Sequence, residues 1–174
     1  LIFEKVDCRE IMETVMAMEP DAICQEVLDS DLKGRGGAGF PTGMKWRFAA
    51  REKDSVKYIV CNADEGEPGT FKDRQILDEV PEKVFCGMAI AARAVGAKSG
   101  YVYLRGEYKF LIPKLRTALD EFHRLADEFN LNFRIRIRLG SGAYICGEES
   151  ALFESIEGKR GEPRNKPPYP TAEG

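Results

Sequence analysis

The residues of this chain that most clearly indicate a binding site are the glycines between Gly34 and Gly43. Five glycines within these ten residues remove the Cβ atoms along one side of a loop. The backbone of such a loop can take positive φ angles and approach a bulky ligand closely. Pro41 sets a backbone angle suited to a first helical turn, and free N–H groups at a helix start attract phosphate. The loop therefore predicts the binding of a phosphate-bearing cofactor.

Two common phosphate-binding motifs resemble this loop, and neither fits it. Residues 34–39 spell G-x-G-x-x-G, but the dinucleotide fingerprint needs a strand directly before it. Residues 21–32 carry a helical pattern instead. A P-loop needs Gly-Lys followed by Ser or Thr, whereas residues 43–46 read Gly-Met-Lys-Trp. A plain glycine-rich turn between two helices is the remaining alternative.

Two further polar loops follow predicted strands. Residues 62–70 contain an asparagine and three carboxylates, and they leave the carboxyl end of the first strand, where open α/β sheets bind ligands. Residues 140–150 follow the third strand and place Glu148 and Glu149 in the first turn of a helix. These groups offer acceptors for ribose hydroxyls and ring N–H groups. A solvated turn is the alternative for the first loop, and helix-dipole complementarity accounts for one of the two glutamates.

Hydrophobic periodicity predicts the elements that position these loops. Helices are predicted over 9–18, 21–32, 41–52, 81–95, 113–128 and 148–156, and strands over 57–61, 99–104 and 133–139. Strands alternating with helices imply an α/β fold. We expect a layered Rossmann-like domain with a mostly parallel sheet and flanking helices, in which a helix precedes the glycine-rich loop. Residues 1–157 are assigned to this domain, and residues 158–174 to an extended Pro/Gly-rich tail that leads to domains absent from this chain.

The third predicted strand has an unusual alternation. Between Phe133 and Leu139, apolar residues alternate strictly with Arg134, Arg136 and Arg138. The pattern predicts a strand with one buried face and one cationic face. The arginines are either solvated or in contact with a partner or with acidic side chains.

Composition excludes several classes of function. A net charge of −3 and a pI near 5.4 give no electrostatic case for nucleic acid or an anionic membrane. No apolar run reaches the length of about 18 residues that a membrane span needs. The five cysteines are scattered without a C-x-x-C motif, which fits buried thiols in a reducing compartment and gives no zinc or cluster site.

The inventory of catalytic side chains is also short. The single histidine, His123, is predicted on the exposed side of its helix, so His-based triads and metal sites are largely excluded. No residue has the surroundings of an activated nucleophile. Hydride transfer, in which a cofactor carries the chemistry and the protein positions it, suits this inventory best.

Three stretches together resemble a known family. They are GRGGAGFPTGMKW at 34–46, VCNADEGEPGTFKDR at 60–74 and GAYICGEESALFESIEGKRGEPRNKPPYP at 142–170. They resemble the NADH-binding FMN flavoprotein subunit of respiratory complex I and the homologous diaphorase subunit of NAD-linked hydrogenases and formate dehydrogenases. The resemblance extends over residues 21–174. It implies an NADH dehydrogenase module in which FMN accepts hydride from NADH and electrons then pass singly to iron–sulfur clusters of a multisubunit complex.

Carried over position by position, the resemblance implies two sets of contacts within residues 1–157 and the tail. The FMN contacts are Gly34, Gly36, Lys45, Asn62, Asp64, Glu65, Tyr144, Gly147, Glu148 and Glu149. The NAD(H) contacts are Gly37, Ala38, Phe40, Lys45, Phe48, Glu67, Glu149 and Tyr169. Phe40 and Phe48 are similar to the aromatics that stack on adenine, and Tyr169 stands where the family usually has Phe. No catalytic side chain and no metal ligand is implied, because the flavin carries the chemistry.

The resemblance also implies features outside these residues. An Asn-rich motif that completes the FMN phosphate site, and the cysteines of a 4Fe–4S cluster in the full-length subunit, would follow Gly174. The implied partners are iron–sulfur subunits, including a small 2Fe–2S subunit, with no nucleic acid and no membrane span. The implied location is the cytoplasm or the equivalent matrix side, peripheral to a membrane complex. A nucleotide-binding or scaffolding module without turnover is the alternative, whereas a soluble NAD dehydrogenase would need a catalytic His, a Tyr–Lys pair or a metal.

Overall fold

A sheet of three parallel strands positions the polar loops in the computed structural model, which describes residues 2–140 and 143–172. The strands are β1 (Tyr58–Ala63), β2 (Ser99–Leu104) and β3 (Arg134–Leu139), in the order β1-β2-β3. Ala63 pairs with Leu104, and Leu104 pairs with Leu139. The three carboxyl ends are therefore level at one edge of the sheet, where the polar loops begin.

Helices flank this sheet. They are α1 (Cys8–Ala17), α2 (Pro20–Asp29), α3 (Thr42–Arg51), α4 (Lys72–Glu79), α5 (Pro81–Val95), α6 (Ile112–Glu128) and α7 (Glu149–Ile156), with short 3₁₀ helices at Gly106–Leu111 and Tyr144–Gly147. The predicted α/β fold with a parallel sheet is confirmed, and α2 precedes the glycine loop as expected. The sequence prediction missed α4, because its only apolar residues, Ile76 and Leu77, are adjacent and form no helical stripe.

Helix α5 is the centre of the core. Phe85, Ala89 and Ala92 are at most 1% exposed and pack beneath β1 and β2. Helix α3 is fixed against α2 by a close backbone approach, since a Cβ on Gly43 would lie 2.6 Å from the carbonyl oxygen of Cys24. This approach fixes the start of α3, and with it the end of the glycine loop.

Helix α7 covers part of the other face of the sheet. Tyr103 on β2 is 1% exposed and packs with Cys146 and Leu152. Its hydroxyl lies 2.7 Å from Oγ of Ser155 in α7. No helix within the described residues is long and apolar enough to cross a membrane.

His123 is not the surface residue that the sequence predicted. The side chain is half-buried, and its Nε2 accepts a hydrogen bond from the Ile135 N–H at 3.1 Å, which ties α6 to β3. Only the unprotonated nitrogen can accept this bond. Burial, and then the neighbouring Arg134, lower the pKa of His123 below its usual value.

The lowered pKa predicts a pH-dependent stability. In the unfolded chain, His123 has a pKa near 6.5 and binds a proton below that pH. In the folded chain, its lowered pKa means that it binds this proton only at a lower pH. The contribution of neutral His123 to the free energy of unfolding is therefore fully present above about pH 6.5 and decreases as the pH falls below that value. Denaturant unfolding between about pH 7.5 and 5.5 should show this loss, and His123→Gln, which keeps an acceptor but does not titrate, should reduce it. An identical pH slope in both proteins would contradict the assignment.

Candidate functional site

The three polar loops meet at the carboxyl edge of the sheet. Asn62, at the end of β1, donates its Nδ2–H to the carbonyl oxygen of Gly147 at 2.9 Å. Lys45 in α3 forms an ion pair of 3.1 Å with Glu149, at the start of α7. The first contact joins the acidic loop to the loop after β3, and the second joins that loop to the helix that follows the glycines.

Tyr144 lies against the acidic loop. A Cβ on Gly66 would lie 3.2 Å from its ring atom Cδ2, so the ring packs closely against the backbone of this glycine. The ring is nevertheless 67% exposed. It thus presents a flat aromatic surface beside Asp64 and Gly147.

Asp64 is the polar side chain best placed to receive a ligand. Its Oδ2 is buried and has no hydrogen-bond partner among the described residues. Burial raises the pKa of Asp64, against the opposing effect of the nearby Arg105. Buried polar atoms in folded proteins are almost always hydrogen-bonded. The unpaired oxygen therefore indicates that a donor outside the described residues completes this position.

Glu65 has a different role from its neighbour. The side chain is buried, and its carboxylate accepts hydrogen bonds from the amides of Asp73 and Arg74 at the start of α4, at 2.8 and 3.3 Å. The Tyr108 hydroxyl adds a third bond at 2.9 Å. Burial opposes ionisation, but these bonds outweigh it and lower the pKa of Glu65. The carboxylate thus caps α4 and shapes the acidic loop.

Glu148 caps α7 from the N-cap position, one residue before the helix and not within its first turn as predicted. Its Oε2 accepts hydrogen bonds from the amides of Ser150 and Ala151 at 2.9 and 3.0 Å. Its Oε1 pairs with Lys166 at 3.1 Å. Burial opposes ionisation, but a hydrogen bond from the Ser150 hydroxyl, the Ala151 amide and Lys166 together prevail and lower the pKa of Glu148 to about 2. The expectation that one glutamate complements the helix start is met by this residue.

Glu149 lies between two lysines. Lys166 approaches it at 2.9 Å and Lys45 at 3.1 Å, while 39% of its side chain stays exposed. Burial works against its ionisation, but both lysines outweigh burial and lower its pKa. An exposed anion held by two movable cations can exchange these partners for groups of a ligand. Lys166 was missed by the sequence analysis, because no spacing rule links it to Glu149.

The middle of the glycine loop is not covered by other parts of the described chain. It is closed at its base by a hydrogen bond of 2.8 Å from the Gly34 N–H to the Phe40 carbonyl. A Cβ placed on Gly36, Gly37 or Gly39 would meet nothing within 4 Å. The space above this loop is therefore open, and the loop presents backbone N–H and C=O groups to it.

The predicted aromatic contacts lie beside this loop. The rings of Phe40 and Phe48 are 47% and 41% exposed, and their centroids are 6.3 Å apart with a tilt of 45°. Tyr169, in the tail, is also exposed. Ala38 and Glu67, the other predicted nucleotide contacts with side chains, are exposed at the surface of their loops.

The tail folds back over α7. The Arg164 N–H donates to Oγ of Ser150 at 2.9 Å, and the Arg164 guanidinium pairs with Glu154. A Cβ on Gly161 would lie 2.6 Å from Sγ of Cys146, so only glycine fits there.

Cavities of 530 and 490 Å³ lie along the tail and not over the glycine loop. Neither cavity is lined by the glycine loop or by Asp64.

Ser150→Ala should release the tail. The serine is 2% exposed and joins Arg164 to the cap of α7. The substitution removes two hydrogen bonds of the Ser150 hydroxyl, one donated to Glu148 and one accepted from the Arg164 N–H. Loss of the bond to Arg164 alone, about 1 kcal/mol, corresponds to roughly fivefold easier local opening of the tail. Trypsin should therefore cut after Arg160 and Arg164 several-fold faster, as measured by mass spectrometry over time. Ser55→Ala, at an exposed position, is the control, and equal cleavage rates in both variants would contradict the role of Ser150.

Comparison with known proteins confirms the resemblance. Residues 27–174 match the family described as the Nuo51 FMN-binding domain. The chain belongs to this family. It is 49% identical, over 98% of its length, to the NAD-reducing hydrogenase HoxS subunit alpha of Cupriavidus necator. It is 47% identical, over 88% of its length, to the mitochondrial NADH dehydrogenase (ubiquinone) flavoprotein 1 of Dictyostelium discoideum.

A solved structure of this Nuo51-type domain agrees with the fold. The crystal structure of an NAD⁺-reducing NiFe-hydrogenase in the H₂-reduced state superimposes with a TM-score of 0.89 at 50% sequence identity, over 95% of this chain and 29% of that one. The chain spans 29% of the length of the HoxS protein and 34% of the length of the Dictyostelium flavoprotein. The Nuo51 domain described above is thus a portion of the length of these relatives.

Proposed function

We propose that this Nuo51 domain binds FMN and NADH and forms the entry module of an NADH:acceptor oxidoreductase. The observation that carries the proposal is the meeting of the glycine loop, the acidic loop and the loop after β3 at one edge of the sheet. Bound FMN would supply the redox chemistry, by accepting a hydride from NADH and releasing electrons one at a time.

Two features support the fit of FMN to these residues. The open backbone at Gly36 leaves room for a flat ring or a phosphate. Among the described residues, the Oδ2 of Asp64 lacks a donor, which a ribityl hydroxyl or a ring N–H could supply. Gly34, Gly36, Lys45, Asn62 and Asp64 would hold the cofactor from two sides. Tyr144 and Gly147 would border it, and Glu149 would exchange its lysine partners for groups of the ligand. Glu65 and Glu148 would keep their loops in place through the contacts described above.

The nucleotide would lie over the same loop, on the side of the exposed phenylalanines. Phe40 and Phe48 would stack on the adenine after their rings separate, and Tyr169 would approach from the tail. Aromatic stacking of this kind contributes about 0.5–1.5 kcal/mol per pair. Lys45 would exchange its bond to Glu149 for a bond to the ligand. Gly37 and Ala38 would bring the backbone close to the nucleotide.

The proposal includes partners and location. Electrons would leave to iron–sulfur subunits, among them a small 2Fe–2S subunit, and the module would work on the cytoplasmic or matrix side of its complex. The 4Fe–4S cluster would belong to the full-length subunit. The division into a binding domain over residues 1–157 and an extended connection over residues 158–174 is part of the same proposal.

Two measurements separate turnover from a scaffolding role. Purified protein mixed with FMN should stay yellow through gel filtration, and it should then reduce ferricyanide with NADH. Protein that takes up no FMN would overturn the cofactor assignment. Protein that holds FMN and binds NADH but transfers no electrons to ferricyanide would favour the scaffolding alternative.

Glu67→Gln should alter the affinities for NADH and NAD⁺ unequally. The two nucleotides differ by one positive charge on the pyridine ring, and Glu67 is an exposed carboxylate on the acidic loop. An exposed charge interaction is worth up to about 1 kcal/mol, so the ratio of the two dissociation constants should change about two- to fivefold. Calorimetric titration of FMN-loaded protein measures both constants. Glu121→Gln on α6 is the matched control, and an equal change for both nucleotides would remove this role from Glu67.

A further inference from the structure

Arg105 is a charged residue at the carboxyl edge of the sheet that belongs to none of the three polar loops. It directly follows β2, and its N–H donates to the carbonyl oxygen of Ala63 on β1 at 3.1 Å. Only 25% of its side chain is exposed. Arginine is mostly exposed in folded proteins unless it is paired, so this enclosure indicates contacts that hold the guanidinium in place.

The guanidinium of Arg105 joins the acidic loop to the chain segment after β2. Its Nη1 donates to the carbonyl oxygen of Glu65, and its Nη2 pairs with Oε1 of Glu107 at 3.0 Å. The group also lies over the ring of Tyr108, 5.8 Å from the centroid. Since the Tyr108 hydroxyl binds the Glu65 carboxylate, two side chains of this segment hold the backbone and the side chain of Glu65.

Glu65 is the central residue of a tight turn that begins at Asp64. The Gly66 N–H donates to the Asp64 carbonyl oxygen at 2.8 Å, which closes a three-residue turn. On the other side, the Asp64 N–H donates to Oδ1 of Asn62 at 3.2 Å. A turn of this size has few contacts of its own, so the bond from Arg105 to its central carbonyl helps to fix the direction in which Asp64 projects.

The carboxylate of Asp64 is enclosed and needs a positive charge nearby. Its Oδ2 is buried and has no partner among the described residues, and its Oδ1 lies 3.3 Å from the position that a Cβ on Gly140 would take. Burial disfavours the ionised form and raises the pKa of Asp64. The charge of Arg105 opposes this rise, whereas Glu107 adds to it. Arg105 therefore acts on Asp64 both through the backbone of the turn and through its charge.

We propose that Arg105 is a positioning residue for FMN, which directs Asp64 toward the cofactor and keeps it an anionic acceptor. The inference rests on the proposed function, in which a ribityl hydroxyl or a ring N–H of FMN would donate to Oδ2 of Asp64. Hydrogen bonds to an ionised acceptor are roughly twice as strong as neutral ones. Protonation of Asp64 would therefore weaken FMN binding, and Arg105 would extend tight binding to lower pH.

The pH dependence of FMN affinity tests this inference. Quenching of FMN fluorescence between about pH 4.5 and 8 gives the dissociation constants of wild type and Arg105→Gln. We expect the variant to bind FMN at least about fivefold more weakly at about pH 7.5, and its affinity to begin to fall at a higher pH than that of wild type. The FMN phosphate and His123 titrate in both proteins, so the difference between the two profiles is the measure.

Two further variants separate positioning from general support of the loop. Arg105→Lys keeps the charge but not the planar fork, so it should restore the wild-type pH profile while its FMN affinity stays below that of wild type. Arg116→Gln removes the same charge from the exposed surface of α6 and should match wild type in both respects. Wild-type affinity in Arg105→Lys would overturn the positioning role, and it remains informative where Arg105→Gln lowers the folding stability.

Asp64→Asn shows whether the effect of Arg105 passes through Asp64. The amide does not titrate, so Arg105→Gln should no longer displace the pH profile in this background. An equal displacement with and without the Asp64 carboxylate would overturn the inference. Parallel profiles of wild type and Arg105→Gln would also overturn it, because support of the loop alone weakens binding equally at every pH.

A measurement without FMN distinguishes this inference from the proposed function. In FMN-free protein labelled with carbon-13 aspartate, NMR should show that the Asp64 carboxyl titrates at a higher pH in Arg105→Gln than in wild type or Arg105→Lys. An unchanged titration would overturn the electrostatic role of Arg105. Wild-type protein that takes up no FMN would overturn the proposed function and the cofactor contact, whereas the titration would still decide whether Arg105 acts on Asp64.

Discussion

Gly36→Val is expected to weaken FMN binding at least tenfold without loss of folding stability. A Cβ at Gly36 would meet no atom of the protein within 4 Å, and its backbone does not have the positive φ that strains other residues. The valine methyl groups would instead occupy the space over the loop that the cofactor needs. Gly37, with φ of 103°, is a poorer test, because a side chain there would add backbone strain.

Quenching of FMN fluorescence on titration with protein measures this effect. We expect the dissociation constant to rise at least tenfold, which is a loss of about 1.4 kcal/mol, while the thermal midpoint stays within about 2 °C. Gly87→Ala is the matched control, because this glycine is exposed on α5 with equally open surroundings. Unchanged FMN affinity in Gly36→Val would show that the glycine loop is only a turn between α2 and α3.

The features that the sequence predicted correctly depend on local patterns. β2 was predicted with its observed bounds of Ser99–Leu104, and α5 with its bounds of Pro81–Val95. In both cases, the signal lies within the element, as a run of β-forming residues or as a Pro start with a Gly end. β1 extends two residues further than predicted, to Ala63, because pairing with β2 continues past the apolar run into Asn62.

The features that the sequence did not predict depend on contacts between distant residues. The cap of α4 comes from Glu65, which also binds Tyr108, 43 residues further along the chain. His123 is held by the backbone of Ile135 and not by its own helix. The pattern of a helix shows which side chains are polar, but not which of them a neighbouring strand will use as a hydrogen-bond acceptor.

In the candidate site, too, the sequence predicted the local features but not those that depend on contacts between distant residues. The sequence motifs identified the three loops, and the fold brings them together at the carboxyl edge of the sheet. The motifs did not show that the carboxylates of Glu65 and Glu148 would cap helices, while Oδ2 of Asp64 would remain without a partner among the described residues. Adjacent acidic residues look alike in the sequence. Only the direction of each side chain in the fold distinguishes a carboxylate that caps a helix from one whose oxygen has no partner among the described residues.

Glu148→Ala is expected to destabilise the protein by about 1–2 kcal/mol near neutral pH. The folded pKa of about 2, against 4.5 for an ordinary glutamate, corresponds to roughly 3 kcal/mol at 1.36 kcal/mol per unit. Because 33% of the side chain is exposed, solvent screening reduces this value. The substitution removes the cap of α7 and leaves Lys166 with Glu149 alone, so it should also loosen the tail.

The pH dependence distinguishes a charged cap from lost packing. A glutamate with a depressed folded pKa stabilises the protein fully above pH 4.5, and this contribution disappears as pH falls toward about 2. The difference in unfolding free energy between wild type and Glu148→Ala should therefore shrink between about pH 5 and 3.5, as measured by denaturant unfolding. Glu121→Ala, on the exposed side of α6, is the control and should change stability by less than about 0.5 kcal/mol. A constant difference across this range would mean that Glu148 acts through packing and not through its charge.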